Sequence, residues 1–399
     1  MPPDSPAGVP LSDIAVDEEI LGAVNKAVAS GWWSTGPRVA AFEGAFARFL
    51  GAQYAVAVSS GTAALHLAVV ACGCGPGDEV ILPSLNFAAA ANVVRHAGAT
   101  PVFCDVRGDG DPNLDPRDVE AAVGPRAKAV VALHYGGFAC DMDAVVAIAE
   151  RHGLVVIEDA AHAPGATYRG RPCGTLGAVG CFSFFSNKNL PIGEGGMVVT
   201  DDAALADRVR LLRSHAMTAV SWDRHRGHAT GYDVVATGFN YRLDEMRAAI
   251  GLVQLSRLEA GNAARARLAA RYRERLHEVA GLTVPPADGA RHDGSAHHLA
   301  VVVLPPAADR DAIRAELKAR GIQTSVHYPP IHRFSAYHDV GYRALPRTDE
   351  LAERLLTLPL FPHLREDQVD DIADALLLAL RRQRALVPVT APSREGARG

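Results

Sequence analysis

Short apolar runs alternate with amphipathic segments through the N-terminal half of the chain. Five runs have the length and the branched, apolar composition of buried strands: "YAVAV" at Tyr54–Val58, "EVILP" at Glu79–Pro83, "PVFCDV" at 101–106, "KAVVALH" at 128–134 and "LVVIEDA" at 154–160. Helical periodicity lies between and before them, as in "PRVAAFEGAFARFLG", where Pro37 predicts the helix start and Gly51 its end. Strands that alternate with helices in this way predict an α/β domain with a buried, mostly parallel sheet.

A second, smaller region is predicted in the C-terminal part of the chain. A long helical stretch at about 243–279 precedes the apolar run "AVVVL" at 300–304 and the helical pattern "DRDAIRAELKARG". We therefore expect an N-terminal segment and large domain at 1–255, and a long helix with a small α+β domain at 256–386. The last residues, 387–399, contain Pro, Gly and Ser without periodicity, which is typical of a disordered tail.

The composition of the chain argues against some classes of binding partner, namely nucleic acids and membranes. With 40 basic and 45 acidic residues, the chain has a formal charge of −5 and no basic footprint for nucleic acid. No apolar run approaches the roughly 20 residues of a membrane span, and "MPPDSPAGVP" lacks the features of a signal peptide. Six cysteines without paired spacing indicate reduced core thiols. We expect a cytoplasmic protein that acts on small molecules.

The segment "SSGTAALHLAVVA" is a candidate phosphate site. A strand ends just before it and a helix opens at about Gly61, so the N–H groups of Gly61, Thr62 and Ala63 lie at a positive helix terminus. Backbone donors and the helix dipole together favour an anion there. The alternative is an ordinary helix N-cap without a ligand.

The segment "VIEDAAHAPGA" is a candidate acid site. It ends a buried strand with Glu158 and Asp159 and places His162 three residues later. Carboxylates at the carboxyl end of a parallel strand point into the crevice where α/β proteins bind ligands. The alternative role for Asp159 is that of a helix N-cap.

The segment "CFSFFSNKNLPIGEGGMVVT" contains one lysine, Lys188, between an aromatic strand and a glycine cluster, with Ser183 five residues earlier. A phosphate site, a buried acid and a lone lysine are what pyridoxal phosphate (PLP) requires. The lysine amine forms a Schiff base with the cofactor aldehyde, and the acid keeps the pyridine nitrogen protonated. The sequence therefore predicts a PLP enzyme anchored at Lys188.

The chain resembles the DegT/DnrJ/EryC1/StrS family of sugar aminotransferases, which have the fold-type I, aspartate aminotransferase-like architecture. The resemblance covers nearly the whole chain, including "SGWWSTGPRVAAFE", "GPGDEVILPSLNFAAAANVV", "FSFFSNKN", "GFNYRLDEMRAAIGLVQL" and "LPLFPHL". It implies that Phe87 stacks on the cofactor ring, that Asp159 pairs with the ring nitrogen, and that His162 lies near the ring's oxygen side.

The resemblance also implies the phosphate contacts and a partner. Thr62, Ala63 and Ser183 would bind the phosphate. Asn240 in "GFNYR" matches an asparagine that in the family reaches the phosphate from the neighbouring subunit, which implies a homodimer with shared active sites. The alternative role for Asn240 is that of a loop cap.

Two positions depart from the family pattern. Many members have histidine or tyrosine where this chain has Phe185, and position 162 is often glutamine. Because Phe185 cannot form a hydrogen bond, a polar contact usual in the family is absent here. A dehydrating subgroup replaces the lysine with histidine, so retention of Lys188 favours transamination.

The candidate substrate contacts are less specific. "SVHYPPIHRF" contains His327, His332 and Arg333 around a Pro-rich segment, which in the family faces the substrate entrance. Arg38 and Arg242 belong to the same candidate set, and an exposed loop is the alternative. The histidines of "HRGH" at 225–228 and the pair His297 and His298 lack matching ligands, so we interpret them as loop residues and predict no metal site.

These features predict an aminotransferase that moves the amino group of L-glutamate or L-glutamine to a keto-sugar. The expected acceptor is a nucleotide-linked keto-deoxysugar, in amino-sugar or antibiotic biosynthesis. A cyclitol ketone would use the same catalytic residues and is the first alternative. Another lysine-dependent PLP reaction on a non-sugar substrate is the second.

Overall fold

A seven-stranded β-sheet forms the centre of the large domain in the computed structural model, which describes residues 8–218, 231–287 and 294–386. The strands of the described chain are β1 (Tyr54–Val58), β2 (Glu79–Pro83), β3 (Thr100–Cys104), β4 (Val106–Gly108), β5 (Asp111–Leu114), β6 (Ala127–Leu133), β7 (Val155–Asp159), β8 (Thr167–Tyr168), β9 (Arg171–Pro172), β10 (Val179–Ser183), β11 (Gly196–Thr200), β12 (Ala300–Val303) and β13 (Leu355–Leu358). The large sheet has the order β1-β11-β10-β7-β6-β2-β3. Only β11 runs against its neighbours, so the sheet is mostly parallel as predicted.

Helices cover both faces of this sheet. The α-helices of the described chain are α1 (Glu18–Ala29), α2 (Pro37–Leu50), α3 (Gly61–Ala71), α4 (Ala89–His96), α5 (Pro116–Ala122), α6 (Met142–His152), α7 (Ala203–Leu212), α8 (Glu245–Leu276), α9 (Arg310–Ala319), α10 (Pro346–Arg354) and α11 (Glu366–Leu386). Successive residues of β7 show the two faces: Val156 packs in the core that contains Phe46 of α2, and Ile157 in the core that contains Leu67 of α3. Because the sheet is buried on both faces, its strands appear in the sequence as continuous apolar runs.

A small antiparallel sheet, β12 with β13, packs on α8, α9 and α11 and has its own apolar core. The N-terminal segment joins this part of the molecule, since Val9 pairs with Ile322 and the Leu360 N–H donates to the Leu11 carbonyl at 3.1 Å. The predicted boundary at 255 falls inside the continuous helix α8, and the division into domains stays a prediction. The predicted tail at 387–399 and the histidines at 225–228 lie outside the described residues.

One predicted run differs in the structure. "PVFCDV" is two strands, because the Asp105 carboxylate accepts from the Val106 N–H at 2.9 Å and from the Thr348 N–H at 2.7 Å, which interrupts the strand. All six cysteines carry free thiols. None of the described helices is long and apolar enough to cross a bilayer.

Candidate active site

A cleft of about 370 Å³ opens where β1, β7 and β10 end. These strands run in the same direction, so the residues that follow them meet at one edge of the sheet. The cleft is lined by nine of the residues predicted from sequence: Gly61, Thr62, Phe87, Asp159, His162, Ser183, Phe185, Lys188 and His327. Segments far apart in the chain are therefore brought together as expected.

The start of α3 forms one wall of the cleft. The Ser60 hydroxyl accepts the Ala63 N–H at 3.0 Å, which caps the helix and uses the donor of Ala63. Gly61 and Thr62 line the cleft with first-turn N–H groups that the helix itself cannot satisfy. A Cβ atom on Gly61 would lie 2.6 Å from the Cβ of Ser183, so only glycine allows the strand end to approach this closely. Ala63 does not line the cleft, and its predicted phosphate contact is not supported.

Asp159 lies at the end of β7, buried with 4% of its surface exposed. Its carboxylate accepts from the Ala161 N–H at 3.3 Å and from Asn86 Nδ2 at 3.5 Å, and it forms no ion pair with the described residues. Burial raises the pKa of Asp159, although these hydrogen bonds and the Lys188 charge act in the opposite direction. A buried acid without a cation partner fits the protonated ring nitrogen of the cofactor.

The adjacent carboxylate, Glu158, faces the other side of the sheet. It accepts from the N–H groups of Gly174, Leu176 and Gly177, each at 2.6 Å, and lies 2.8 Å from His134 Nε2. Its hydrogen-bonding capacity is therefore used to fix the loop before β10. The two acids that the sequence places side by side have different roles, since only Asp159 lines the cleft.

Lys188 follows β10 in a tight turn in which its N–H donates to the Phe185 carbonyl at 2.8 Å. Gly193 closes the same loop with φ of +91°, a conformation that favours glycine. Burial lowers the pKa of the Lys188 amine to about 8, and the charge of Asp159 opposes this shift. The Nζ atom lies 3.4 Å from Nε2 of His298.

The hydrogen bonds of His162 fix its tautomer. The Gly136 N–H donates to Nδ1 at 3.2 Å, so Nδ1 carries the lone pair and the ring proton is on Nε2. Nε2 then donates to the hydroxyl oxygen of Tyr328, 2.8 Å away. The proton of the Tyr328 hydroxyl is consequently directed elsewhere in the cleft. Burial lowers the pKa of His162 well below its ordinary value, in agreement with a neutral ring.

Two aromatic side chains are exposed inside the cleft. Phe87 has 60% of its surface exposed and Phe185 has 44%, although most large apolar side chains of the domain are buried. The Phe87 ring lies 5.9 Å from that of Tyr328. Exposed rings in a cleft provide flat surfaces on which a planar cofactor or an apolar part of a substrate can stack.

Four of the six predicted substrate contacts do not line the cleft. His332 is buried between Ser84 Oγ, at 2.7 Å, and Asp349, at 3.2 Å. Arg333 forms ion pairs with Asp349 and Glu353 of α10, because the short helical turn after Pro330 directs it towards that helix. Their predicted role as contacts in this cleft is not supported.

Arg38 is likewise directed away from the cleft, since it forms an ion pair with Glu245 at 3.4 Å and donates to the Lys26 carbonyl at 3.0 Å. Arg242 pairs through its backbone with Val58 at the end of β1, beside the first turn of α3, but does not line the cleft. Asn240 is exposed to solvent and pairs through its backbone with Ser214. In a single chain it therefore makes no contribution to the cleft lining.

Sequence reasoning missed three side chains of this region. Tyr328 lines the cleft and bonds His162, Asn86 bonds Asp159, and His298 lies beside Lys188. His298 lies in a loop, as interpreted, but the sequence did not show that this loop is buried, with only 5% of the His298 surface exposed. Only Leu299 separates the residue from β12, and this apolar run was the only signal in the sequence that it would be buried.

Three comparisons relate the chain to known proteins. The sequence profile of the DegT/DnrJ/EryC1/StrS aminotransferase family matches residues 15–377. The spore coat polysaccharide biosynthesis protein SpsC of Bacillus subtilis (strain 168) is 42% identical over 374 residues, which covers 92% of this chain and 96% of SpsC.

Solved structures give the same result. The aminotransferase TlmJ from Streptoalloteichus hindustanus is 38% identical with a TM-score of 0.87, covering 94% of this chain and 100% of TlmJ. DesI, solved in the presence of its TDP-sugar product, is 35% identical with a TM-score of 0.85, covering 95% of this chain and 94% of DesI. The predicted fold-type I architecture is confirmed by these likenesses and by the mostly parallel sheet.

The family uses pyridoxal phosphate, and the cleft fits it: a helix terminus with available donors, a buried acid that pairs with no cation among the described residues and a buried amine lie around one cavity. The predictions of family, cofactor and enzyme class are thereby confirmed. The chain belongs to the DegT/DnrJ/EryC1/StrS aminotransferase family and is a PLP-dependent aminotransferase.

Proposed function

We propose that this enzyme transfers the amino group of L-glutamate or L-glutamine to the ketone of a nucleotide-linked keto-deoxysugar, in amino-sugar or antibiotic biosynthesis. The observation that carries the proposal is the placement of Lys188, Asp159 and the first turn of α3 around one cleft. The sugar acceptor is supported by the family and by DesI, whose product is a TDP-sugar.

Binding of the cofactor would use four parts of the cleft. The N–H groups of Gly61 and Thr62 with the Ser183 hydroxyl would bind the phosphate, and Phe87 would stack on the ring. Asp159 would pair with the ring nitrogen, where its negative charge stabilises a protonated pyridine. When bound, the cofactor supplies an aldehyde that takes up an amine and a ring that accepts electrons from the donor's α-carbon.

Proton movement is assigned to Lys188. Its Nζ, with a pKa lowered to about 8 by burial, has an appreciable neutral fraction near pH 7 and can accept a proton from the donor's α-carbon and release it again. The neutral His162 and the Tyr328 hydroxyl would orient the oxygen side of the ring without adding charge. In the second half-reaction the same atoms act in reverse order on the keto acceptor.

A cyclitol ketone remains the second candidate acceptor, and one observation favours it. Of the histidines and arginines predicted as substrate contacts, only His327 lines the cleft within the described chain. Burial lowers the pKa of His327 to about 4, so this ring is neutral near pH 7. A single subunit therefore supplies little positive charge for a diphosphate beyond the cofactor site.

The identity of the keto acceptor is tested with the enzyme in its pyridoxamine form. We expect nucleotide keto-sugars to restore the PLP absorbance rapidly, and 2-oxo acids other than the donor product to do so slowly. Rapid reaction of a cyclitol ketone with inert nucleotide sugars would replace the proposed acceptor with the second candidate. Inertness of both classes would point to a non-sugar substrate.

We also propose that two copies of the chain form a homodimer in which Asn240 of each subunit contacts the phosphate in the other. Asn240 is exposed in its own subunit. The residue after it lies beside the candidate phosphate site at the start of α3, because the Ser59 N–H donates to the Tyr241 carbonyl at 2.8 Å. Val234 and Val235, 53% and 54% exposed, lie on the same segment and provide an apolar surface for the second copy.

Mixed subunits test this arrangement. We expect an equal mixture of Lys188→Ala and Asn240→Ala subunits to regain about a quarter of wild-type activity, since half the dimers are hybrids with one intact site. The measurement is activity after subunit exchange, with exchange confirmed by mass spectrometry of tagged subunits. Activity no higher than the mean of the two parent variants would place Asn240 in the site of its own chain.

A further inference from the structure

Behind Lys188 lies a chain of three side chains, Asn262, Asn189 and His298, whose hydrogen bonds all have a fixed direction. It begins at the Pro164 carbonyl, which accepts from Asn262 Nδ2 at 2.9 Å. The amide oxygen of Asn262 must then face Asn189, and it accepts from Asn189 Nδ2 at 2.8 Å. The same Nδ2 donates to the Ala296 carbonyl at 2.6 Å. Since both carbonyls can only accept, neither amide can be reversed without placing acceptor against acceptor.

The direction of these bonds determines the tautomer of His298. With its nitrogen committed to two acceptors, Asn189 presents its oxygen to His298 Nδ1, 3.0 Å away. Nδ1 must therefore carry the ring proton, and Nε2 carries the lone pair. Nε2 lies 3.4 Å from Lys188 Nζ. Burial, together with the nearby charges of Lys188 and Arg265, lowers the pKa of His298 well below its ordinary value, so the ring is neutral.

We propose that His298 is a positioning residue for Lys188, held by Asn189 and Asn262 as a hydrogen-bond acceptor that directs the amine and stabilises its protonated form. The inference rests on the assignment of Lys188 as the reactive amine in the proposed function. A neutral acceptor behind Nζ binds an ammonium more strongly than an amine, so it retains a proton taken up from the substrate. It also leaves the amine oriented when that proton departs.

The neighbouring ionisable groups do not replace this acceptor. Asp159, His162, His327 and Tyr328 line the cleft with Lys188, and Arg265 donates to the His298 carbonyl at 3.4 Å. Asp159 attracts the ammonium through its charge and forms no hydrogen bond with Nζ within the described chain. The histidines are neutral near pH 7 because burial lowers their pKa.

The test measures the pKa of Lys188 in the full-length protein after removal of the cofactor. The chain has only four lysines, at 26, 128, 188 and 318, so trace labelling with acetic anhydride across a pH series resolves each by peptide mass spectrometry. We expect His298→Leu to lower the pKa of Lys188 by about one unit, because a charge-assisted hydrogen bond to the ammonium is lost. The exposed Lys318 serves as the internal reference.

Two further variants should lower the pKa of Lys188 by different amounts. Asn189→Leu releases His298 to place its proton on Nε2, towards the amine, so the pKa of Lys188 should fall as far as in His298→Leu. Asn262→Leu should shift it less, because Asn189 still donates to the Ala296 carbonyl. These variants also decide the question if His298→Leu does not fold.

The matched control is His297→Asn. His297 has φ of +45°, which asparagine tolerates, and its ring packs against Phe138 rather than Lys188. We expect no change in the pKa of Lys188. An unchanged or raised pKa in His298→Leu and Asn189→Leu would overturn the proposal. Because no substrate is used, that result would leave the proposed acceptor and reaction untouched.

Discussion

Replacement of Lys188 with alanine is expected to reduce the rate of amino transfer by about 10²–10⁴-fold, the usual contribution of a positioned acid–base group. In the proposed function the same amine both anchors the cofactor and moves the proton, and no other lysine lines the cleft within the described chain. Steady-state rates with a glutamate donor measure the effect. Borohydride treatment of the wild-type holoenzyme should attach the cofactor to the peptide that contains Lys188.

Lys318→Ala is the matched control, because Lys318 is exposed on α9 and does not line the cleft. It should retain wild-type activity and cofactor content. Attachment of the cofactor to the peptide of Lys26, Lys128 or Lys318 would contradict the assignment of Lys188.

Replacement of Asp159 with asparagine is expected to slow amino transfer by roughly 10²–10³-fold, which corresponds to the loss of a buried charge pair. Without the carboxylate, the pyridine nitrogen is no longer held in its protonated form and the ring accepts electrons less readily. Because Asn86 and the Ala161 N–H remain as local partners, we expect the protein to fold and to retain some cofactor. Single-turnover rates of the proton transfer, with cofactor content from absorbance, measure the effect.

Glu158→Gln distinguishes this catalytic effect from a general loss of buried charge. Glu158 is the adjacent carboxylate, and its bonds to the loop at 174–177 fix structure rather than line the cleft. We expect the glutamine variant to have a lower midpoint of thermal unfolding and near-normal rates below that temperature. Equal rate losses in the two variants would show that Asp159 acts through the fold and not on the cofactor.

Much of the architecture could be predicted because its causes are local. The strands at Tyr54–Val58 and Glu79–Pro83 and the helix Pro37–Leu50 lie where the apolar pattern placed them. The causes of these elements act within a few residues. They are an apolar run that is buried on both faces, a proline that fixes the first turn of the helix, and a glycine in left-handed conformation after its last turn. The meeting of Gly61, Asp159 and Lys188 in one cleft was also predicted, since residues after parallel strands lie at one edge of the sheet.

The surroundings of these residues were decided only by the tertiary structure. His298 is 110 residues from Lys188 in sequence, and Tyr328 is 166 residues from His162, yet each pair is in contact. Arg333 looked equally suited to a substrate, but its turn directs it to acids on α10. A local pattern shows that a side chain is charged or aromatic, whereas its partner depends on which distant segment packs against it. The sequence by itself therefore indicated the fold and the cofactor and predicted Lys188 as the reactive amine, whereas the three-dimensional packing decided which groups surround that amine.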